Sequence, residues 1–590
     1  MLDSRIYRAA LIPVLLALIV CAFSLQDRPR PFGTTLAPDA FSESRARADL
    51  DALARAYPDH RPGDSGDEAL AARLAQSFRQ IGGYQVSRRS FAGETAEGER
   101  RLTTVTARQV GQPGQGLVVI AHRDALGRGA RAELSGTAAM LELARIVSGQ
   151  LRRTITFVSV SGGSAGAAGT RELAGRLGDP DAVLVLGSMG GATVRRPFVT
   201  GWASGGGAAP LRLRRTVEAA VRREASTNPG GERARSQWIR LASGLTTGEQ
   251  GPLVAAGLPA VQMSVAGERP PPASDPIIAG RTQAFGRAAL RALTALDNAP
   301  ALREPASRDL VTVRKILPLW AVRLLIGALL IAPIIVSVDG FARARRRRAP
   351  VLPWLGWLAA ATAVGVGAAA FAWFLGLVGL LPATPPEPAP PGAVPLSGGG
   401  QAALVAVVLV GVLLALVLRP AIARAAGVRG RIEGAGAGAA LLLVWSVLCA
   451  LVWLRNPYAA AFLVPAAHLF LPLVAPEVRL RRSVAVTLAV LSALPPVLLV
   501  LAVARQLDFG AVDFAWAVLL WVAGGVVGPL AWLLWSAVAA CLLAALLLAL
   551  RPTAAVPERG RGAGDERASV LGPGGYVGPG SLGGTESALR

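Results

Sequence analysis

Residues 116–125 read GLVVIAHRDA. The uninterrupted apolar run Leu117–Ala121, rich in β-branched residues, predicts a short strand buried on both faces. A histidine and an aspartate, His122 and Asp124, follow where that strand ends. Outward from here the pattern alternates. A helix is expected over 135–149, with Met140, Leu141, Ala144 and Val147 on one side, then a strand at 154–160 (TITFVSV) and a helix at 166–177. A strand at 182–187, helix at 209–225, strand at 258–265 and helix at 281–297 continue the series. Upstream, 66–82 has helical spacing, and 84–91 and 101–109 alternate as strands do. Such alternation predicts an α/β domain whose mostly parallel sheet carries helices on both faces. Sites in these sheets lie beyond the carboxyl ends of the strands, here after Ala121, Val160 and Gly187.

This domain is part of a larger, apolar chain. Of 590 residues 52% are hydrophobic and only 17% charged, against roughly 25% charged in soluble proteins. Residues 9–25 (AALIPVLLALIVCAFSL) carry no charge and follow Arg5 and Arg8. They read as an uncleaved anchor, since no small-residue cleavage motif follows. Apolar runs become dense again after about residue 315. The last, 514–550, is free of charge and too long for one crossing, and Gly524, Gly525, Gly528 and Pro529 mark where it divides. Eight or nine spans are expected. The division is therefore an anchor at 1–25, an exterior domain at 26–310, an all-α polytopic membrane domain at 315–550 and a disordered tail at 551–590.

The net charge is +23, almost all from arginine. Loop 341–350 has five arginines, loop 419–434 has Arg419, Arg424, Arg429 and Arg431, and loop 476–483 has Arg479, Arg481 and Arg482. The intervening loops, 383–401 and the turn near Asn456, hold only Arg455 between them. The asymmetry predicts a multi-pass cell-membrane protein with a cytoplasmic N-terminus and residues 26–310 on the exterior face. Nucleic acid is excluded as a partner because the arginines sit in short loops, with no basic patch interleaved with aromatics. The three cysteines, Cys21, Cys449 and Cys541, all lie in apolar runs, which rules out a disulfide framework or a cysteine zinc site in the polar domain.

Several segments then match in order and spacing. VVIAHRDA, SGTAAMLELAR, RTITFVSVSGGSAGAAGTREL and GPLVAAGLPAVQMS, with RPGDSGDEALAARLAQSFRQIGGYQV ahead of them, resemble the co-catalytic zinc aminopeptidases, metallopeptidase family twenty-eight, over about residues 45–297. The resemblance implies a zinc-exopeptidase-like fold and a paired-zinc site. That site is degenerate here. His122 and Asp124 match the family's H-x-D. The bridging aspartate falls on Ala132, the paired glutamates on Gly163 and Ser164, the next aspartate on Ser188, and the last histidine near Gly267 or Glu268. Glu133, Glu249 and Glu268 remain as isolated acids able to hold a harder cation weakly. The chain has only three histidines, His60, His122 and His468, whereas zinc prefers imidazole or thiolate donors.

Gly162-Gly163-Ser164-Ala165-Gly166 fits G-x-S-x-G between a strand and a helix, the setting of a serine nucleophile, but no histidine follows in the domain. Arg123, Arg128 and Arg131 near the former metal site could form an anion-binding wall. His468, inside a span, is either a functional ionisable group or a polar tie between helices. The expectation is an exterior, catalytically inactive peptidase-like domain, without catalytic residues or cofactor, serving binding or assembly. Its expected partners are membrane lipid and a peptide, lipid-linked ligand or protein subunit. A zinc-dependent membrane aminopeptidase with an atypical site is the alternative, and a transport or lipid-handling bundle with an accessory domain is a second.

Overall fold

The computed structural model describes residues 4–550 except 114–115, 165, 301–303, 305, 429–433, 476–477 and 479. The tail expected to be disordered, and Arg429, Arg431 and Arg479, lie outside the described residues. The chain opens with helix α1 (Ser4–Phe23), strand β1 (Gln26–Asp27), α2 (Glu43–Ala56) and α3 (Ser65–Ile81). A long hairpin, β2 (Gln85–Thr95) and β3 (Gly98–Gln109), leads to β4 (Gly116–His122), α4 (Arg131–Val147), β5 (Thr154–Val160), α5 (Ala168–Ala174) and β6 (Ala182–Leu186). Then come β7 (Val199–Thr200), α6 (Leu211–Glu224), α7 (Ala234–Ser243), α8 (Gln250–Ala255), β8 (Ala260–Met263) and α9 (Arg281–Asp297).

The sheet runs β2-β3-β5-β4-β6-β8-β7. Its centre, β5-β4-β6-β8, is parallel. The hairpin at one edge and β7 at the other are antiparallel, so the sheet is mixed. β4 sits in the middle, and every residue from Leu117 to His122 is buried, which explains its unbroken apolar run. Helices α4 and α9 pack on β4, α3 on β2 and β3, and α8 on β8.

A second small sheet closes the base of the domain. β1 pairs with β10 (Lys315–Leu317), and β10 with β9 (Leu310–Val311). It joins the exit of α1 to the entry of the bundle, with Lys315 Nζ 2.7 Å from Asp27 Oδ1. It and the six-residue α8 are too short to carry a periodic signature.

The bundle comprises α10 (Leu319–Arg346), α11 (Leu352–Leu377), α12 (Gly398–Leu413) running through a π-helical turn at Leu414–Leu418 into α13 (Arg419–Ala425), α14 (Gly434–Arg455), α15 (Pro457–Ala460), α16 (Val464–Val474), α17 (Arg482–Gln506), α18 (Ala511–Ala523) and α19 (Pro529–Ala549). Among the described residues, eight helical stretches are long and apolar enough to cross a membrane, α1 among them. The charge-free run divides at Gly524–Gly528 as expected, but α18 has only 13 residues. At about 1.5 Å per residue it reaches roughly 20 Å, short of a bilayer core of about 30 Å.

The α/β domain rests on loops of the bundle. Asn456 Nδ2 donates to Leu241 O at 2.8 Å, Trp238 Nε1 to Tyr458 O at 3.0 Å, and Gln506 Nε2 to Ser236 O at 3.1 Å. The first two contacts fall on the arginine-poor turn near Asn456.

His468 ties three helices together. Tyr7 of α1 lies 3.1 Å from its Nδ1, and its Nε2 lies 3.1 Å from Leu329 O of α10. Pro333, one turn beyond Leu329, has no N–H to give that carbonyl, so the histidine supplies the missing donor.

Candidate functional site

The carboxyl ends of β4, β5 and β6 converge as the strand rule requires. His122 closes β4, and its carbonyl accepts from Thr137 Oγ1 of α4 at 2.6 Å. Gly136 lets α4 come this close: a Cβ there would lie 2.7 Å from Leu186 O. After β5 the chain turns at Gly162, whose φ of +79° is glycine territory. Asp124 binds this turn, accepting from Gly163 N at 3.0 Å and from Ser164 N at 3.1 Å.

His122 is buried, with a carboxylate against each ring nitrogen. Nδ1 meets Glu249, the residue that precedes α8. Nε2 faces Glu133, in the first turn of α4, at 3.7 Å. Both acids are about 5% exposed. Burial works against the imidazolium, but the two close carboxylates, Glu249 first, outweigh it, and the His122 pKa stands well above its usual value. Burial raises the Glu133 carboxyl despite the imidazole.

Position 163 explains the arrangement. A Cβ at Gly163 would lie 2.5 Å from His122 Cβ and 2.9 Å from the Glu249 carboxyl carbon. The carboxylate of Glu249 therefore stands where a side chain at 163 would have to pass. That acid comes from another loop, 86 positions along the chain.

The other expected positions carry different duties. Ala132 is buried and offers no donor. Ser188 Oγ is buried and makes no hydrogen bond. Glu268 does not reach His122's carboxylate pair. Its Oε2 lies 2.7 Å from Arg240 Nη2, and its Oε1 accepts from Thr246 at 2.8 Å and from Gln250 at 3.2 Å. His60 comes to lie near Asp124 and His122, with Nδ1 donating to Tyr57 O at 2.8 Å and burial lowering its pKa.

Two sequence expectations are corrected by this geometry. The three arginines do not share a wall. Arg123 is fully buried beneath the sheet, 2.8 Å from Asp67 and donating to Thr103 O and Ser159 O. Arg131 pairs with Asp51, and Arg128 is exposed away from the residues that line the cleft. The residue after a strand end points inward when a buried carboxylate waits for it, and Asp67 on α3 was invisible to a linear reading. The serine-nucleophile reading fails on partners: Ser164 Oγ donates to Asp124, while both nitrogens of His122 face carboxylates. Ala165 of that motif lies outside the described residues.

The cleft itself is lined by His122, Ser164, Ser188, Glu249, Glu268 and Pro390, among others, and holds about 30 Å³. That is space for about two water molecules. Its donors do not fit a zinc pair, which needs a bridging carboxylate with imidazoles and further acids around one point. Glu133 and Glu249 lie on opposite nitrogens of one ring, so they cannot close on a common ion without leaving it. Among the described residues no three His, Cys, Asp or Glu side chains are placed to share an ion.

Residues 104–236 match the model of Peptidase family M28. The M28-like domain is similar in structure to a glutaminyl cyclase of an Acidobacteriales bacterium, at 15% identity and TM-score 0.35, covering 46% of this chain and 99% of that one. It is also similar to a leucine aminopeptidase precursor of Bacteroides thetaiotaomicron (13% identity, TM-score 0.34, 43% and 97% covered). A Zn-dependent exopeptidase of Parabacteroides distasonis gives 13% identity and TM-score 0.31, with 44% and 99% covered. No curated protein sequence matches the chain. The residues matched by the M28 model lie in the α/β domain, which the helical bundle follows.

Proposed function

We propose that the M28-like domain is a catalytically silent module that binds rather than cleaves, displayed outside the cell membrane by its own bundle. The observation that carries this reading is the closed set His122–Glu133–Glu249 over Gly163. Hydrolysis in this fold needs a base free to take a proton from water beside polarising metal. Here the acids nearest the imidazole neutralise it instead. The partner class is a peptide, a lipid-linked ligand or another membrane subunit. The orientation rests on the arginine asymmetry, which puts the N-terminus and the arginine-rich loops on the cytoplasmic side. The contact of the domain with arginine-poor loops supports it.

The test is turnover by the purified full chain, with and without added zinc, on aminoacyl nitroanilides and on a peptide with N-terminal glutamine. The expected result is no release or cyclisation above that of His122→Ala. Zinc-dependent turnover that His122→Ala abolishes would restore the membrane-bound metallo-aminopeptidase.

A further inference from the structure

The segment between α11 and α12 is long for a helix hairpin. Twenty residues separate Leu377 from Gly398, where two to eight are usual. Seven of the residues between 382 and 395 are proline, a composition that pre-sets an extended chain and lowers the entropy lost on ordering it.

It does not loop freely beside the bundle. Pro385 packs on the turn after β5, and a Cβ at Gly166 would lie 2.5 Å from its Cγ. Glu387 accepts a hydrogen bond from Ser204 Oγ at 2.5 Å and faces Arg171, whose charge partly offsets the upward push of burial on its carboxyl. Ala389 and Ala393 pack with Ala96 of the β2–β3 tip and with Leu126 of the loop after β4. Pro390 lines the cleft with His122 and Ser188. On the bundle side, Trp516 of α18 donates to Val394 O at 3.0 Å. Pro385, Pro388, Pro390 and Ala393 are all buried. The segment thus crosses the loops at the carboxyl ends of β4 and β5, the edge where the site lies.

We propose that Thr384–Pro395 is a strap, built into the bundle, that closes the cleft, and that a ligand reaches His122 only when the strap lifts. Its ends are continuous with α11 and α12 and it is pinned to α18, so movement of these helices sets access. The strap acts alike on a cleft that binds and on one that cuts, so its test stands apart from the activity assay.

The test uses the full chain with Cys21, Cys449 and Cys541 replaced by alanine and Ser188→Cys as a reporter on the cleft floor. The rate of its modification by a small thiol reagent is measured in the intact chain, in Glu387→Ala, and with residues 384–395 replaced by a Gly/Ser linker of equal length. The strap predicts slow labelling in the first, a rise in the second and a rise of about tenfold or more in the third, as when a protecting segment opens. Equal rates in all three chains overturn it. Glu387→Ala keeps the answer available if the linker chain fails to fold, because loss of its Ser204 and Arg171 contacts alone must speed labelling.

Discussion

His122 sits between two acids in a place that water barely reaches, and the balance of charge there governs stability. The folded pKa of His122 is raised well above its usual value, and that of Glu133 is raised as well. Both shifts mean that the folded chain holds protons the unfolded chain has released. The stabilisation from His122 is fully present below about pH 6.5 and is lost as pH climbs through its folded pKa. Glu133 shifts stability in the same direction, from about pH 4.5 upward. His122→Gln leaves two buried acids facing a neutral side chain, at a cost of about 3 kcal/mol near pH 6. Thermal unfolding should show the gap between wild type and His122→Gln narrowing from pH 6 to pH 9, and a gap independent of pH would contradict the charged pairing. A second expectation concerns Gly163→Glu, which builds a side chain into the space that the Glu249 carboxylate holds. Alone it forces Glu249 and His122 aside and destabilises by about 1–3 kcal/mol. Combined with Glu249→Ala it should recover most of that loss, and a double-mutant cycle with no coupling would show that the two side chains do not compete for one space.

The elements differ in how clearly the sequence announces them. β4, β5 and β6 were legible because buried parallel strands write themselves as short apolar runs, and His122 with Asp124 was legible because both follow such a run. Glu249 was named as an isolated acid, and nothing in a six-residue helix such as α8 could indicate that it folds back onto β4. Arg123 was misplaced for the same reason: its partner Asp67 lies on α3, and only the tertiary fold turns the guanidinium inward. In the bundle, the two contacts of His468 join α1, α10 and α16, and these give a prediction. His468→Leu leaves the Leu329 carbonyl without a donor and should cost about 1 kcal/mol. Adding Pro333→Ala returns an N–H to the helix and should restore part of it. Resistance to denaturing detergent reads both, and no rescue by the second change would contradict the account of the orphaned carbonyl.

Across the whole molecule, eight crossings, α1 included, would put Ser4 and Leu550 on one side, with α18 too short to add a ninth. A topology reporter fused after Leu550 should report the same side as one fused before Ser4, and a reporter inserted at Gly392 the opposite side. Opposite readings at the two ends would make α18 a crossing. The bundle is then more than an anchor, since its loops carry the domain and one of them covers the cleft. That loop was read from sequence only as poor in arginine, because proline content says that a segment is extended and not what it lies against.

The central claim is that the fold persists while the donors for a metal pair do not. The most direct measurement is the zinc content of the purified full chain by mass spectrometry, after equilibration with zinc and removal of the excess, beside His122→Ala. The account predicts less than one equivalent in the wild type and no difference from the variant. Two equivalents that fall when His122 is replaced would contradict it.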